Sequence, residues 1–456
     1  MLWLRCQSER SPCGEGLAQR FCREFDTMSE EMNEFAAVTV SDGQLEPWLK
    51  VSAVTILLGF SLPVFITGLE IYTASTPADT AWALLIGSFI IFAIGSVMGV
   101  IGARTRMSSY LLVRIAFGDK GAGLVNLAFA VSLLGWFGVN INIFADAVLR
   151  LSAALFDVAP WSVFVSIIAS ICMTATTLFG FKAINKLAIA MSPVLVLVTI
   201  LLIISALRTQ SLPDLLAIEK SASLSLGGGV SAVVGAIIVG AIILPDITRF
   251  VRNWRGVLNL VFIAYFLVQI IVMAAAGLAG AASGETEILD VMLKLGMGFG
   301  AFAIVIAGSW VLNSLNLYSA VLSIQATFPK SNSRWTTIIL GILGVIAALL
   351  NILDYFVVFL IYLSIIFIPV AGVIMTDYLL IRPEVYTIET LSGNRQVSVK
   401  GFLAWAAGAL VAILAEQGLV PVISGISAID AIVLSAAIYA LLAWGERGGG
   451  AHADRN

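Results

Sequence analysis

The sequence predicts an all-α polytopic membrane protein with twelve transmembrane helices. Three observations carry that expectation. Of the 456 residues, 60% are hydrophobic and 12% are charged, whereas soluble domains carry about 25% charged residues. From Val51 onward twelve apolar runs follow one another, at about 51–71, 81–103, 122–149, 161–180, 187–206, 229–247, 257–280, 297–326, 336–352, 354–378, 401–420 and 424–444. Each approaches the ~20 residues that a helix needs to cross a bilayer. Finally, Lys and Arg alternate between the connections. Of the 25, 21 fall on one side, and only Arg150, Arg208, Lys220 and Lys294 fall on the other. Positive charge collects on the cytoplasmic side, and an odd number of spans would scramble the alternation, so both termini are expected in the cytoplasm.

The connections are short. The chain therefore divides into a polar N-terminal tail (1–48), one membrane domain (49–446) and a short C-terminal tail (447–456). The tail holds no apolar core of the signal-peptide kind, and Met28 opens an acidic stretch that offers a second start. No basic domain exists to bind nucleic acid. The one histidine, His452, lies in the C-terminal tail, which excludes a histidine-based metal site or a Ser/His/Asp triad within the membrane. Cys6, Cys13 and Cys22 precede the spans and Cys172 lies in an apolar run, so no disulfide framework is expected. No cofactor is expected.

Taken in order, segment 1 contains Gly59-Phe60-Ser61-Leu62-Pro63. Pro63 lacks an amide hydrogen and clashes with the preceding turn. Either the helix kinks there, or it breaks and lends its freed backbone groups to a midplane site. Glu70 follows, hydrated if it lies at the membrane edge and a candidate for protonation if deeper. Segment 3 contains Leu133-Leu134-Gly135-Trp136-Phe137-Gly138-Val139-Asn140-Ile141-Asn142-Ile143-Phe144-Ala145-Asp146. Polar groups in hydrocarbon are costly unless they meet protein, water or ligand. Trp136 and Asn140 lie four apart and share a helix face. Two readings fit: the amides join helices, or Trp136 is a stacking plate and Asn140 a hydrogen-bond partner for a flat polar ligand.

Segment 6 is short and carries Gly235, Gly240 and Pro245, so it too is expected to be interrupted. Segments 1 and 6 lie five spans apart. So do segments 3 and 8, and segment 8 repeats a tryptophan followed by an asparagine (Trp310, Asn313). Paired interruptions in corresponding halves point to a transporter built from five-plus-five inverted repeats, with repeat one at about 51–206, repeat two at about 229–378 and two peripheral helices at about 401–444. Asp246 with Arg249, Arg252 and Arg255 ends segment 6. The cluster reads as positive-inside charge, with an Asp246–Arg249 contact as a candidate inner gate. Asp377 lies at the inner boundary of segment 10 and needs no special role. Segments 11 and 12 are plain apolar helices.

Gly135-Trp136-Phe137-Gly138, Asp246-Ile-Thr-Arg249-Phe250, Trp310…Asn313…Leu317-Tyr318 and Thr376-Asp377-Tyr378-Leu379 together resemble the nucleobase:cation symporter-1 family, of the purine/cytosine permease type. The loop Gly102-Ala103-Arg104-Thr105 with Arg114-Ile-Ala-Phe117-Gly118 fits the same pattern. The resemblance runs from about Val51 to Arg382 and implies a leucine-transporter-like fold with a ligand between helices 1, 6, 3 and 8. It implies stacking on Trp136, hydrogen bonds from Asn140, Asn313 and the neighbouring Asn316, and walls from Pro63, Ile237, Val239 and Gly240.

Three positions depart from the family pattern. Val311 and Leu312 stand where sodium-coupled relatives carry hydroxyls, and neither can ligate a hard cation through a side-chain oxygen. Ile237 and Val239 replace aromatic or hydroxyl residues, and Pro63 replaces an aromatic. The expected function is secondary import of a small planar heterocycle, cytosine first and otherwise another pyrimidine, a purine or hydroxymethylpyrimidine, coupled to protons rather than sodium. Glu70 and Asp146 are the candidate proton carriers. The expected location is the bacterial inner membrane. An intramembrane enzyme would need a nucleophile–base or metal constellation, and none is apparent.

Overall fold

The structure, a computed structural model, describes residues 39–444 except 159, 218–222, 304, 306–307, 329, 351–355 and 392–396. The stretch before residue 39, with Met28 and the three leader cysteines, and the C-terminal tail from 445, with His452, lie outside the described residues.

The described residues form a helical bundle. Its main helices are α1 (Trp48–Leu58), α2 (Leu62–Ala74), α3 (Pro77–Thr105), α4 (Asp119–Phe156), α5 (Ser162–Leu178), α6 (Gly180–Thr209) and α7 (Leu226–Ile242). They continue with α8 (Trp254–Ser283), α9 (Ser309–Thr327), α10 (Ser333–Leu349), α11 (Phe356–Thr376), α12 (Val399–Glu416) and α13 (Ser427–Ala443). Among the described residues, six helices are long and apolar enough to cross a membrane, and α1 with α2 makes a seventh, bent by 49°. Four shorter apolar helices accompany them. The helix α9 has the length but is markedly less apolar. It carries Asn313, Ser314, Asn316, Ser319, Ser323 and Gln325, all of them buried.

Polar side chains start several helices by accepting orphan amide hydrogens. Thr76 Oγ1 accepts from Asp79 N at 3.1 Å to open α3, and Ser225 Oγ accepts from Gly228 N at 3.1 Å to open α7. Asn332 Oδ1 accepts from Arg334 N and Trp335 N to open α10.

Segment 1 breaks rather than kinks. The chain leaves α1 at Gly59, and Ser61 takes an extended conformation (φ −74°, ψ 150°) before α2 begins. Pro63 stands in the first turn of α2, where its missing amide costs nothing. Segment 6 is interrupted as expected, but at Pro245 and not at the glycines: α7 runs unbroken through Gly235 and Gly240 to Ile242, the chain leaves the helix at Ile243 and Leu244, and Pro245 opens the single turn Pro245–Thr248. Glycine is tolerated in membrane helices when neighbours pack against it, and α3 packs along the length of α7. In segment 8 the described residues Gly298–Ala303 form a short helix that precedes α9.

Within the bundle α9 packs along α4, α8 along α2, and α12 and α13 against each other, with α13 also against α11. Gly68 lets the backbones of α2 and α8 approach closely: a side-chain carbon there would lie 2.5 Å from Met273 Cα. The outer pair is locked on by a buried ion pair. Arg382 Nε and Nη2 donate to the two Asp377 carboxylate oxygens, each at 2.9 Å. Tyr386 donates to the same carboxylate at 3.0 Å, and Arg382 Nη2 also donates to Tyr439 of α13 at 3.1 Å. Burial, reinforced by that carboxylate, holds the Tyr386 hydroxyl well above its ordinary range and keeps it a donor. Asp377 thus has a structural role that its position at a boundary did not indicate.

Candidate binding site

A cavity of about 720 Å³ opens where the α1–α2 break meets α4, α7 and α9. Each helix contributes one face. From α9 come Leu312, Leu315, Asn316 and Ser319, spaced by three and four as one helical stripe requires. From α7 and the turn beyond it come Ala236, Ile237, Val239, Gly240, Ile243, Asp246 and Ile247. Helix α4 presents Leu133 and Trp136, and the break presents Leu58, Ser61, Pro63 and Val64.

Of the residues singled out from sequence, Trp136, Asn316, Pro63, Ile237, Val239, Gly240 and Asp246 come together on this cavity. Trp136 is 6% exposed, with its ring edge-to-face with Phe359 at 5.4 Å. Asn316 is 8% exposed, and its amide nitrogen is buried without a hydrogen-bond partner. An orphan donor on an otherwise apolar wall is costly and is the polar feature most able to orient a ligand. Ser61 is committed to its own turn, donating to Leu58 O at 2.8 Å.

Asn140 and Asn313 are fully buried and do not reach the cavity. The Asn140 amide donates to Trp136 O at 2.8 Å, one turn back. Asn313 lies off the lining stripe of α9, and its amide donates to Phe137 O at 3.1 Å and to Met173 Sδ at 3.3 Å, joining α9 to α4 and α5. Asn142 similarly donates to Ala348 O of α10 at 2.7 Å. Trp310, which the sequence suggested as a counterpart of Trp136, does not line the cavity and donates from Nε1 to Thr176 Oγ1 at 3.0 Å.

Glu70 is exposed, and Asp146 is half exposed and paired with Arg150 Nε at 2.9 Å. Neither lines the cavity, so the structure separates both from the site with which sequence grouped them. Asp246 closes the arginine-rich end of the cavity. Its Oδ1 accepts from Ser109 N at 2.8 Å and Ser109 Oγ at 2.9 Å. Arg249 is fully buried, and its Nε donates to the Asp246 carbonyl at 3.3 Å. The two residues are therefore joined through backbone and proximity rather than by a carboxylate–guanidinium fork. Val311 is buried in the core and Leu312 is on the cavity wall, and neither offers oxygen. Among the described residues, no three His, Cys, Asp or Glu side chains gather as a metal site.

The lining stripes on α7 and α9 were readable as three-and-four periodicity. Leu133 and Ser319 fall on such stripes and Ser61 lies in the α1–α2 break, but no individual side chain marked them as lining residues.

A family model described as permease for cytosine/purines, uracil, thiamine and allantoin matches residues 57–436. The cytosine permease of Escherichia coli strain K12 is 28% identical over 418 residues, which cover 91% of this chain and 95% of that permease. Among solved structures, Mhp1, a nucleobase-cation-symport-1 family transporter in a closed conformation with bromovinylhydantoin bound, has a similar fold. Its TM-score is 0.72 at 17% identity, over 89% of this chain and 93% of Mhp1. An inward-facing Mhp1 is similar at a TM-score of 0.73 and 15% identity, over 89% and 95%.

Proposed function

The chain belongs to the nucleobase:cation symporter-1 family, the permeases for cytosine/purines, uracil, thiamine and allantoin, and on that premise we propose that it imports cytosine or a close planar heterocycle by proton-coupled alternating access. The observation that carries this reading is that Trp136 and the unpartnered Asn316 amide line the same largely apolar cavity. Aromatic rings stack well on indole, and a buried donor without a partner selects a ligand that offers an acceptor. Trp136 stacks on the ring, and Asn316 reads its edge. Asn313 joins α9 to α4, the helices that carry these two, and Asn140 bonds the Trp136 carbonyl within α4. Pro63, Ile237, Val239 and Gly240 form the walls, and the backbone of the α1–α2 break completes the site.

The same proposal takes the chain as twelve spans in the bacterial inner membrane, with both termini cytoplasmic. Two five-helix inverted repeats (about 51–206 and 229–378) are followed by two peripheral helices (about 401–444), all in one domain flanked by the two tails. Proton coupling is favoured over sodium because Val311 and Leu312 supply no ligand oxygen. The aliphatic Ile237 and Val239 also favour a second reading, a ring with an apolar or hydroxymethyl substituent, such as hydroxymethylpyrimidine. A thermal-shift screen of the purified protein against cytosine, uracil, adenine, hydroxymethylpyrimidine and an amino acid tests the substrate class. Stabilisation by the heterocycles alone is expected, and stabilisation by the amino acid alone would overturn the reading.

A further inference from the structure

We infer that Tyr265 of α8 is a second polar contact for the substrate, reaching the cavity through the gap left by Gly240. The inference rests on the planar-heterocycle reading and deepens it, because it names a further residue that selects the ring. Tyr265 is fully buried, and its Oη has no hydrogen-bond partner. A buried tyrosine hydroxyl usually finds one, and leaving it without one is costly.

The hydroxyl stands behind Gly240, which lines the cavity. A carbon in the place of the absent Gly240 side chain would lie 3.5 Å from Tyr265 Oη. Among the described residues, the next nearest atom outside the local helix backbone is Ile237 Cγ2 at 4.0 Å, and Ile237 is itself a cavity wall. Gly240 is partly exposed, whereas Val239 and Ala241 on either side of it are buried. A polar ligand atom that settles about 0.5 Å nearer to Oη than that carbon position makes a hydrogen bond of ordinary length.

The local structure holds the tyrosine in this place. Over Phe262–Val268 the helix α8 widens into a π-helical turn that carries Tyr265, and such turns are found mostly at functional sites. On α3, a side-chain carbon at Gly95 would lie 2.9 Å from Tyr265 Cδ2, so the ring fills space that any other residue there would claim. One glycine thus makes room for the ring, and a second leaves the way open from its hydroxyl to the cavity. The Asn316 amide nitrogen can only donate, whereas a tyrosine hydroxyl both donates and accepts. The two approach from different helices, α9 and α7. A ring with polar groups on two edges satisfies both, and a ring with one polar edge leaves one of them desolvated. The site is therefore selective for heterocycles with polar groups on two edges.

Calorimetric titration of the purified full-length protein with cytosine, uracil, adenine and hydroxymethylpyrimidine reads Kd, and thermal denaturation without ligand reads stability. Tyr265→Phe keeps the ring and removes the hydroxyl. It is expected to raise the melting temperature of the ligand-free protein. It is also expected to weaken binding of whichever of the four the native chain binds most tightly, by about 5- to 150-fold. Gly240→Ala places a methyl group in ordinary contact with Tyr265 Oη and is expected to weaken binding by the same route, so adding Tyr265→Phe to it costs little more. Such non-additivity marks a shared contact, which a purely structural tyrosine would not produce. A Tyr265→Phe variant that is less stable than the native chain, or that binds as tightly, would overturn the inference while leaving the substrate reading intact. So would losses from the two substitutions that simply add. If none of the four binds the native chain, the substrate reading falls and this inference falls with it.

Discussion

Exchanging two asparagines three residues apart on α9 for leucine is expected to give opposite results. The Asn316 amide nitrogen is buried at the cavity with no partner, so in the empty protein it is a liability. Asn316→Leu, close to isosteric, removes that orphan donor and is expected to raise the melting temperature. In the complex the same change leaves a substrate acceptor desolvated and unpaired. That costs ~1–3 kcal/mol, or about 5- to 150-fold in Kd at ~1.4 kcal/mol per decade. Asn313→Leu removes the donor to Phe137 O and Met173 Sδ. Interhelical bonds of this kind are worth ~0.6 kcal/mol each and at most ~1.7, so the melting temperature is expected to fall while Kd changes little. Binding of tritiated cytosine by scintillation proximity, beside thermal denaturation in detergent, reads both quantities. An Asn313→Leu variant that loses binding, beside an Asn316→Leu variant that keeps it, would refute the assignment of roles.

Other expectations concern the frame around the site. Arg382→Met leaves the Asp377 carboxylate fully buried with no cation beside it, only the hydroxyls of Tyr386 and Tyr439, and is expected to cost ~3–5 kcal/mol. Arg382→Lys recovers little of it, because an ammonium cannot make the two-pronged contact; denaturation of the detergent-solubilised protein measures both. Gly68→Ala places a carbon 2.5 Å from Met273 Cα, so α2 and α8 must separate, at an expected ~1–3 kcal/mol of stability by the same assay. Trp310→Phe loses the Thr176 hydrogen bond and ~1 kcal/mol, and it leaves cytosine Kd unchanged because Trp310 is not on the cavity.

Much of the architecture was legible because the bilayer limits the choices. Where backbone groups have no water to bond, an apolar run of sufficient length must be helical, and all twelve runs contain helix in the structure. The break at Gly59–Ser61 was legible because Pro63 cannot donate to the preceding turn. The interruption of segment 6 was legible in Pro245, before which the helix ends, but not in its glycines. Gly235 and Gly240 signal close packing as readily as interruption, and in α7 they lie within a continuous helix. Within the site, an aromatic among aliphatics marked Trp136, but composition could not choose between Asn313 and Asn316. Helical phase decides that choice, and the phase is set by which neighbours α9 meets. Depth was equally hidden: Glu70 and Asp146 looked like intramembrane acids, whereas Asp246, read as part of a boundary cluster, borders the cavity.

The most direct test of the central claim is uptake of radiolabelled cytosine into cells expressing this chain, native beside Trp136→Ala, with and without sodium and with a protonophore. Saturable uptake that ignores sodium and is abolished by both the protonophore and Trp136→Ala is the predicted result. Uptake that requires sodium, or that survives loss of the Trp136 ring, would contradict the account.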